Sequence, residues 1–509
     1  MLNRDSKELS KVDAYFDSKN LSKDLGRKTA RGGAVTMGAQ GIRVVLQLGS
    51  TIALARLLAP EDFGLVGMVT VLMNLIVVFR DFGLTQATVQ RPEITRQQIS
   101  NLFWVNIGIS VLIAGIFALA STWIAKFYGR SELVAVTLVL SVGVFIEGAG
   151  LQHRALMMRA MQFSRLALAD ISSQVLAVGI AVYLAFEGYG YWALVALTAS
   201  GAIFSTVFFT LSTGWRPRLP RRNVGTLPFI TYGINLFGFH IVNYFSRNAD
   251  NLLIGKFLGA EPLGFYAYAY RLLLFPINQI SGPLSKVIMS SLSRLQGNPK
   301  QFAAQYYQLI LGLTILTMPA ASFVVFSAKH LVPALLGNGW GATVGILYAL
   351  GPAALAGSIN IAGGVVLITT GHSGRLFKLG MFNAAVTLGG FCVGINFGVI
   401  GVALAFSIVQ IPMTIWSLHV AFLGTAISLR TLACKLSVPF FASIFSGLIS
   451  LFLLGSIPTD SSWLLLFLNI FFFGIPYLAI IYLKRSSREI LLYTLQKIEL
   501  PNFKKKHKK

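Results

Sequence analysis

Charged and polar side chains that could bind a ligand lie within long apolar stretches of this sequence. They are densest in segment 229–258, where polar residues recur at intervals of three and four and therefore share one face of a helix. A charge at the centre of a bilayer costs at least ~2.5–3.5 kcal/mol, so such a face contacts water or protein rather than lipid. The residues on this polar face are His240, Asn243, Tyr244, Arg247, Asp250 and Asn251.

Arg43 and Arg271 also lie deep within apolar stretches, and we expect neither to have an acidic partner. Tyr266 and Tyr270 share one face of the predicted helix that carries Arg271. Arginine holds phosphate with paired N–H donors and aromatic rings stack on sugar faces, so these side chains suit a sugar–phosphate ligand. The predicted cavity residues are Arg43, Asn243, Arg247, Tyr266, Tyr270 and Arg271.

Two plainer explanations of the same residues stay open. Arg247 and Asp250 are three residues apart and can neutralise one another as a structural pair, and the tyrosines can serve packing alone. Under the binding hypothesis, Asp250 is the best-placed acid for coupling to H+ or Na+, and His240 is a titratable neighbour.

Motifs for catalysis, metal binding and cofactor binding are missing from the sequence. No G-x4-GK[ST] phosphate loop and no Asp-x-Asp pair occurs, and the histidines are scattered without metal-ligand spacing. The longest predicted exterior loop, 328–340, is too short for a catalytic domain. We therefore predict no catalytic residue, no metal, no cofactor and no enzymatic activity.

The elements that position these side chains are long apolar helices. Hydrophobic residues make up 55% of the chain and charged residues 12%, with a mean hydropathy of +0.70. The apolar stretches run for about 18 to 28 residues, and about 20 suffice to cross a hydrocarbon core ~30 Å thick. The sequence therefore predicts an all-α polytopic membrane protein with about 14 transmembrane helices. The predicted spans are 34–58, 63–86, 101–125, 133–151, 167–186, 190–211, 229–258, 263–290, 306–327, 341–369, 378–397, 399–423, 435–456 and 462–483.

The formal net charge of +24 is distributed unevenly between the loops. Most Lys and Arg residues lie in the loops and tails of one side, whereas Lys126, Arg130 and Lys329 lie in those of the other. Basic residues accumulate in cytoplasmic loops, so both termini are predicted to be cytoplasmic. The basic excess then serves topology and contacts with anionic membrane lipids, and we expect no nucleic-acid partner.

An internal repeat divides the chain. A shift of 200 residues lays ARLLAPEDFGL (55–65) over GKFLGAEPLGF (255–265), and a shift of 210 aligns Arg165 with Arg375 and Gly188 with Gly398. Each copy holds six spans, an even number, so the fold is predicted to contain two parallel pseudo-symmetric six-helix lobes plus two C-terminal helices. The predicted regions are a basic N-terminal segment (1–33), an N-lobe (34–211), a basic linker (212–228), a C-lobe (229–423), two further helices (435–483) and a basic tail (484–509).

Three stretches resemble the Wzx-type oligosaccharide flippases, the polysaccharide-transporter branch of the multidrug/oligosaccharidyl-lipid/polysaccharide exporter superfamily. They are STIALARLLAPEDFGLVGM (50–68), HRALMMRAMQFSRLAL (153–168) and SRNADNLLIGKFLGAEPLGFYAYAYRL (246–272). The resemblance implies two lobes around a cavity that opens alternately to each side of a bacterial cell (inner) membrane. It also implies a polyprenyl-pyrophosphate-linked oligosaccharide as cargo, moved outward for surface-polysaccharide synthesis, with a polysaccharide polymerase as a candidate partner.

Other functions fit the residues less well. A multidrug or cation antiporter of the same superfamily should offer acids to its cargo, yet 34–58 contains none. A membrane glycosyltransferase or polymerase would need acidic groups on long exterior loops. A flippase for a lipid-linked peptidoglycan precursor is disfavoured only because the motifs resemble the Wzx-type flippases more closely. Moving two negative charges outward across ~100 mV, inside negative, releases about 4–5 kcal/mol, so an electrical drive could suffice.

Cysteine labelling in intact cells tests the topology. Cysteines introduced within 216–222 or 504–509 should react only after permeabilisation, because the basic segments are predicted to be cytoplasmic. Cysteines replacing Glu61, Glu187 or Glu261 should react from outside. External labelling within 216–222 would invert the topology and the direction of transport.

Overall fold

The computed structural model describes residues 25–80, 83–91, 93–222, 248–459, 461–484 and 488–489, and within them the regular structure is entirely helical. The long and short α-helices, in chain order, are α1 (Leu25–Leu57), α2 (Pro60–Arg80), α3 (Leu84–Gln90), α4 (Arg96–Tyr128), α5 (Glu132–Arg159), α6 (Phe163–Phe186), α7 (Trp192–Thr213), α8 (248–257), α9 (Ala260–Ser293), α10 (Pro299–Phe326), α11 (Ala328–Leu336), α12 (Ala342–Thr369), α13 (Ser373–Gly394), α14 (Gly398–Phe422), α15 (Leu429–Gly455) and α16 (Ser462–Leu483).

The helix ends follow from local sequence. Thr95 caps α4 in a reciprocal box, in which its hydroxyl accepts from the Gln98 N–H (3.2 Å) and its own N–H donates to the Gln98 side chain (2.9 Å). At the other end, Gly129 adopts φ 70°, a left-handed conformation that glycine reaches without strain. Capping satisfies N–H and C=O groups that have no partner within the helix, and so fixes where each helix stops.

Hydroxyl side chains inside the long helices bond to their own backbone. Thr137 donates to the Leu133 carbonyl and Ser141 to the Thr137 carbonyl, both at 2.6 Å, and Ser173 repeats the pattern with Ala169. Each pair is four residues apart, so the hydroxyl bonds to the carbonyl one turn earlier. These three hydroxyls therefore sit within apolar helices with a hydrogen-bond partner from their own helix.

The chain is an all-α multi-pass membrane protein, as the sequence predicted. In the part of the chain that the structure describes, nine helical stretches are long and apolar enough to cross a membrane. One of these, Gly374–Phe422, contains both α13 and α14. The total of about 14 spans stays a prediction.

Two predicted boundaries are wrong. The span 63–86 is interrupted, because α2 ends at Arg80 and Gly83, at φ 66°, precedes the separate helix α3. The segment 328–340, predicted as a loop, forms α11 and a 3-10 turn. Trp340, at its end, is 1% exposed, so burial of an aromatic side chain accompanies this local structure.

Two compact units, Met1–Gly264 and Phe265–Lys509, make up the molecule. In the first, α5 and α6 both pack against α7, and α4 packs against α5. In the second, α12 and α13 pack in the same way against α14, while α15 and α16 pack together and α15 lies against α10. The lobe boundaries drawn from the sequence stay a prediction.

Three turns recur at the offset of 210 residues. In the α5–α6 and α12–α13 turns, one residue has a positive φ and the next N–H bonds to the carbonyl five residues earlier, at 3.0 and 2.9 Å. The second and third pairs of positive-φ residues follow α6 and α7 in one copy and α13 and α14 in the other. The three pairs are Met161 (55°) with Gly371 (77°), Gly188 (82°) with Gly398 (73°), and Gly214 (60°) with Gly424 (81°).

The first turns of α2 and α9 touch through two glycines. A Cβ at Gly64 would overlap the carbonyl oxygen of Ala260, and a Cβ at Gly264 would overlap that of Pro60. Gly64 aligns with Gly264 and Pro60 with Ala260 under the shift of 200, so the contact is reciprocal. Helices in lipid gain close van der Waals packing where small residues let their backbones meet. Glycine is therefore required at both positions.

Replacing either glycine by alanine should destabilise the protein. Gly64→Ala and Gly264→Ala should each cost about 1–3 kcal/mol by forcing two backbones apart. The thermal unfolding midpoint of purified protein in detergent measures the effect. Gly67→Ala is the matched control in α2, because its Cβ would make only an ordinary 3.6 Å contact with Leu263. Equal midpoints for Gly64→Ala and Gly67→Ala would contradict the packing argument.

Candidate functional site

Two arginines from different helices converge on one carboxylate in the first unit. Arg43 lies on α1, Arg154 on α5 and Asp170 on α6. Arg43 Nη1 lies 3.1 Å and Arg154 Nη2 3.6 Å from the same Oδ2 atom of Asp170. The carboxylate side chain is 12% exposed, whereas the two guanidinium side chains are 31% and 43% exposed. This arginine cluster, Arg43, Arg154 and Asp170, carries one net positive charge.

The expectation that Arg43 has no acidic partner is wrong. Asp170 neutralises it, and spacing along the sequence could not show this because the two residues are 127 positions apart. A shared carboxylate holds both guanidiniums in place and reduces their mutual repulsion. Within the described residues, the buried Nε of Arg43 has no hydrogen-bond partner. The guanidinium carbon of Arg154 lies 5.6 Å from the centre of the Phe209 ring, within cation–π range. The cluster is thus a positioned pair of donors whose three members sum to one positive charge.

The predicted polar stripe is described only at its end. His240, Asn243 and Arg247 lie outside the described residues. Asp250, on α8, is 3% exposed, and its Oδ1 accepts from the Asn251 N–H at 2.8 Å. A carboxylate buried to this degree needs further partners to offset its desolvation. Both the ion-coupling role and the structural-pair explanation stay predictions for this segment.

Arg271, on α9 of the second unit, is exposed and lies beside an aromatic ring that the sequence analysis did not single out. Its guanidinium carbon is 5.9 Å from the centre of the Tyr268 ring, at the edge of cation–π range. Tyr266 and Tyr270 stack with a centroid distance of 6.1 Å and an interplanar angle of 19°. Tyr266 is fully buried, so in this structure its ring packs inside the unit and Tyr270 is the more accessible of the two.

Three residues in these clusters were missed as site residues by sequence reasoning. The sequence patterns singled out none of Arg154, Asp170 and Tyr268 as a cavity residue. The spacing in the sequence could have indicated Tyr268, because it precedes Arg271 by three residues and so lies on the same helix face. Arg154 and Asp170 carry no such local signal, since their meeting depends on how α5 and α6 pack.

Two solved structures share the fold of this chain. The lipid II flippase MurJ, in an inward closed conformation, superposes with a TM-score of 0.70 at 16% identity, covering 90% of this chain and all of that one. An inward-facing multidrug resistance MATE transporter of the MOP superfamily gives a TM-score of 0.60 at 14% identity, over 77% of this chain and 94% of the other. The fold is therefore one shared by multi-pass membrane transporters.

The chain belongs to the polysaccharide biosynthesis protein family, whose model matches residues 53–345. The lipopolysaccharide biosynthesis protein WzxC of Escherichia coli K12 is 26% identical over 430 residues, which cover 82% of this chain and 86% of that protein. The teichuronic acid biosynthesis protein TuaB of Bacillus subtilis is 27% identical over 302 residues, 58% of this chain and 62% of that protein. The predicted resemblance to the Wzx-type branch is confirmed. The matched range includes Arg154, Asp170 and Arg271, whereas Arg43 precedes it.

A double-mutant cycle tests the arginine cluster. Asp170→Asn should destabilise the protein more than Arg43→Gln or Arg154→Gln, because it leaves two cations facing each other, whereas either arginine variant leaves one ion pair. A hydrogen bond to a charged group contributes about 1.5–3 kcal/mol, and the shorter Arg43–Asp170 pair should show the larger coupling energy. Thermal unfolding midpoints give the values.

Arg165→Gln is the control for the cycle, because it also removes one positive charge from α6 and Arg165 is exposed, with Gln162 as its side-chain contact at 3.4 Å. Its midpoint should stay close to that of the unmodified chain. Additive effects of the variants at 43 and 170 would contradict a direct interaction between them.

Proposed function

We propose that this chain moves a polyprenyl-pyrophosphate-linked oligosaccharide from the cytoplasmic to the outer leaflet of a bacterial cell membrane. The observation that carries the proposal is the arginine cluster, in which two guanidiniums from separate helices are held about one carboxylate. Each guanidinium presents several N–H donors in a plane, so a pair of them can bind the oxygens of a diphosphate. Relatives named for lipopolysaccharide and teichuronic acid biosynthesis support an anionic glycolipid as cargo.

The cluster lies where such a cargo would first arrive. In the predicted topology Arg43 is nine residues from the cytoplasmic end of its span, or about 14 Å along the helix axis. Arg154 and Asp170 lie at or near the cytoplasmic ends of theirs. The exposed fractions of both arginines leave donors free for a ligand beside the shared carboxylate. We therefore assign the arginine cluster to the entry side.

Arg271 suits the opposite end of the path. In the same topology it lies eight residues, about 12 Å, from the exterior end of its span. Its position beside Tyr268 and close to Tyr270 in sequence gives a cation next to aromatic rings, which fits a phosphate attached to a sugar. Arg247 and Asn243 are predicted to contact the same cargo.

Burial of the sugar head explains why a protein is needed. Each hydroxyl costs roughly 2–7 kcal/mol to transfer to an apolar medium without a hydrogen-bond partner. A polar path lets the head cross while the polyprenyl chain stays in lipid. The membrane potential can drive two negative charges outward, and coupling to H+ or Na+ through Asp250 and His240 is an additional proposal, as is a partner polymerase. No bond of the cargo is broken, so the proposed activity is transport rather than catalysis.

A cation exporter is the second candidate, and the cluster argues against it. The carboxylate of Asp170 is already shared by two arginines, which leaves a positive rather than a negative surface at this position. A cationic drug would be repelled there. The charge of the site therefore favours an anionic cargo.

Export by arginine variants tests the proposal. Removing one charge-assisted contact of about 1.5–3 kcal/mol should weaken cargo binding about 10- to 150-fold. In cells that depend on this chain, Arg43→Gln with Arg154→Gln should reduce surface polysaccharide and cause the lipid-linked oligosaccharide to accumulate, as measured by mass spectrometry of lipid extracts. Arg43→Lys with Arg154→Lys should restore export only in part, because a point charge does not replace paired donors.

Protein abundance and thermal stability separate loss of transport from loss of folding. The Lys variants keep both ion pairs to Asp170 and should accumulate normally, and Arg165→Gln controls for charge alone. Normal export by the double Gln variant would show that the cluster is structural and does not hold the cargo.

A further inference from the structure

The linker after α7 is fixed to the protein through its backbone. Residues 215–222, which we call the strap, follow Gly214 without regular secondary structure. The Arg218 N–H donates to the Ser100 hydroxyl (3.0 Å), and the Arg218 carbonyl accepts from the Trp104 indole N–H (2.9 Å). The Leu219 carbonyl accepts a hydrogen bond from the side-chain amide of Gln97 at 2.8 Å. These bonds join the strap to the first turns of α4.

A reciprocal amide pair completes the attachment. Asn101 accepts from the Arg221 N–H at 3.0 Å and donates to the Arg221 carbonyl at 2.6 Å. The residues of α4 that take part, at positions 97, 100, 101 and 104, are spaced by three and four, so they form one face of that helix. Each of these hydrogen bonds engages a backbone group of the strap and uses none of its arginine side chains.

A buried tryptophan anchors the start of the strap. Trp215 is 3% exposed, and its ring packs edge-on against Phe103 (6.0 Å between centroids) and His153 (5.2 Å). Two prolines at 217 and 220 restrict the backbone further. A linker held in this way is pre-organised, so a ligand that binds it pays little ordering entropy.

The side chains that the strap displays are basic, with one apolar exception. All four of its arginines are exposed, and within the described residues none of them makes an ion pair. Leu219 stands among them with 78% of its surface exposed. In the described part of the loop that leads into α4, the acidic residue is Glu93. The four arginines are Arg216, Arg218, Arg221 and Arg222.

We propose that the strap is a docking surface for the head groups of anionic phospholipids. Its arginines bind lipid phosphates and Leu219 inserts among the acyl chains at the boundary of the membrane. The strap begins two residues after α7 ends, so its position at the membrane boundary follows from the helix that precedes it. Guanidiniums bind phosphate through paired donors, and an apolar residue flanked by cations is the arrangement by which protein segments lie in the interfacial layer. The inference does not depend on the proposed cargo.

Competition between two lipids tests the strap. The full-length protein in detergent is mixed with phosphatidylglycerol and phosphatidylcholine, and native mass spectrometry measures the ratio of bound lipids. A basic residue at an anionic surface contributes about a fivefold preference. The variant R216Q/R218Q/R221Q/R222Q should therefore lose at least about tenfold of the preference for phosphatidylglycerol.

A matched variant removes the same charge elsewhere. R165Q/R294Q/K300Q/R430Q replaces four exposed basic residues on the same predicted side, one between helices and three in the first turns of α6, α10 and α15. Because these charges are scattered and do not share a head group, the preference should change by about twofold or less. Equal losses in the two variants would show that the strap is not a distinct lipid site and would overturn the proposal.

Two further arms keep the outcome decisive. If the glutamine variant does not fold, raising the salt from about 0.1 to about 0.5 M with the unmodified chain should weaken the preference for phosphatidylglycerol. A preference insensitive to salt overturns the proposal.

Titration with a polyprenyl diphosphate distinguishes a lipid-docking role of the strap from a cargo-binding role. Loss of its binding by the strap variant, with the phosphatidylglycerol preference intact, would assign the strap to cargo capture and overturn lipid docking.

Discussion

Hydrocarbon offers no hydrogen-bond partner to a peptide group, and this constraint decides most of the structure. Each N–H and C=O within the membrane must be satisfied by the chain itself, which an α-helix does along its whole length. Hydroxyl groups obey the same constraint locally, as Thr137 and Ser141 do by bonding to the carbonyl one turn earlier. What a helix cannot satisfy alone is charge, and Asp170 meets Arg43 and Arg154 where α6 lies beside α1 and α5.

The arginines that we propose as cargo contacts have different surroundings in the two units. In the first unit, Asp170 supports two arginines and keeps their guanidiniums in one place. In the second, Arg271 is exposed beside an aromatic ring rather than beside a carboxylate. Under the proposed function, a phosphate would compete with the Asp170 carboxylate at the first position and would lie near the Tyr268 ring at the second. Binding strength along the proposed path can thus differ between its ends although both use arginine.

Sequence patterns predicted the features that depend on local or periodic chemistry. Apolar length predicted the membrane helices, and the shift of 210 residues aligned Gly188 with Gly398, both of which have a positive φ in the structure. The two-lobe repeat itself stays a prediction. Features that depend on how helices pack could not be predicted from the sequence. No local pattern pairs Arg43 with Asp170, because the contact requires α1 and α6 to lie side by side. Gly83 could be seen in the sequence, but whether it bends a long apolar segment depends on the φ that its neighbours impose.

The turn at Met161 has an energetic consequence for the repeat. Its counterpart Gly371 adopts a left-handed conformation at almost no cost, whereas a residue with a Cβ loses roughly 1–2 kcal/mol there. The two turns have a positive φ at matching positions, but only the one at Met161 is strained. Met161 lies in the unit that carries the arginine cluster. The α5–α6 turn therefore carries backbone strain that the α12–α13 turn avoids, and the packing around Met161 must offset that cost.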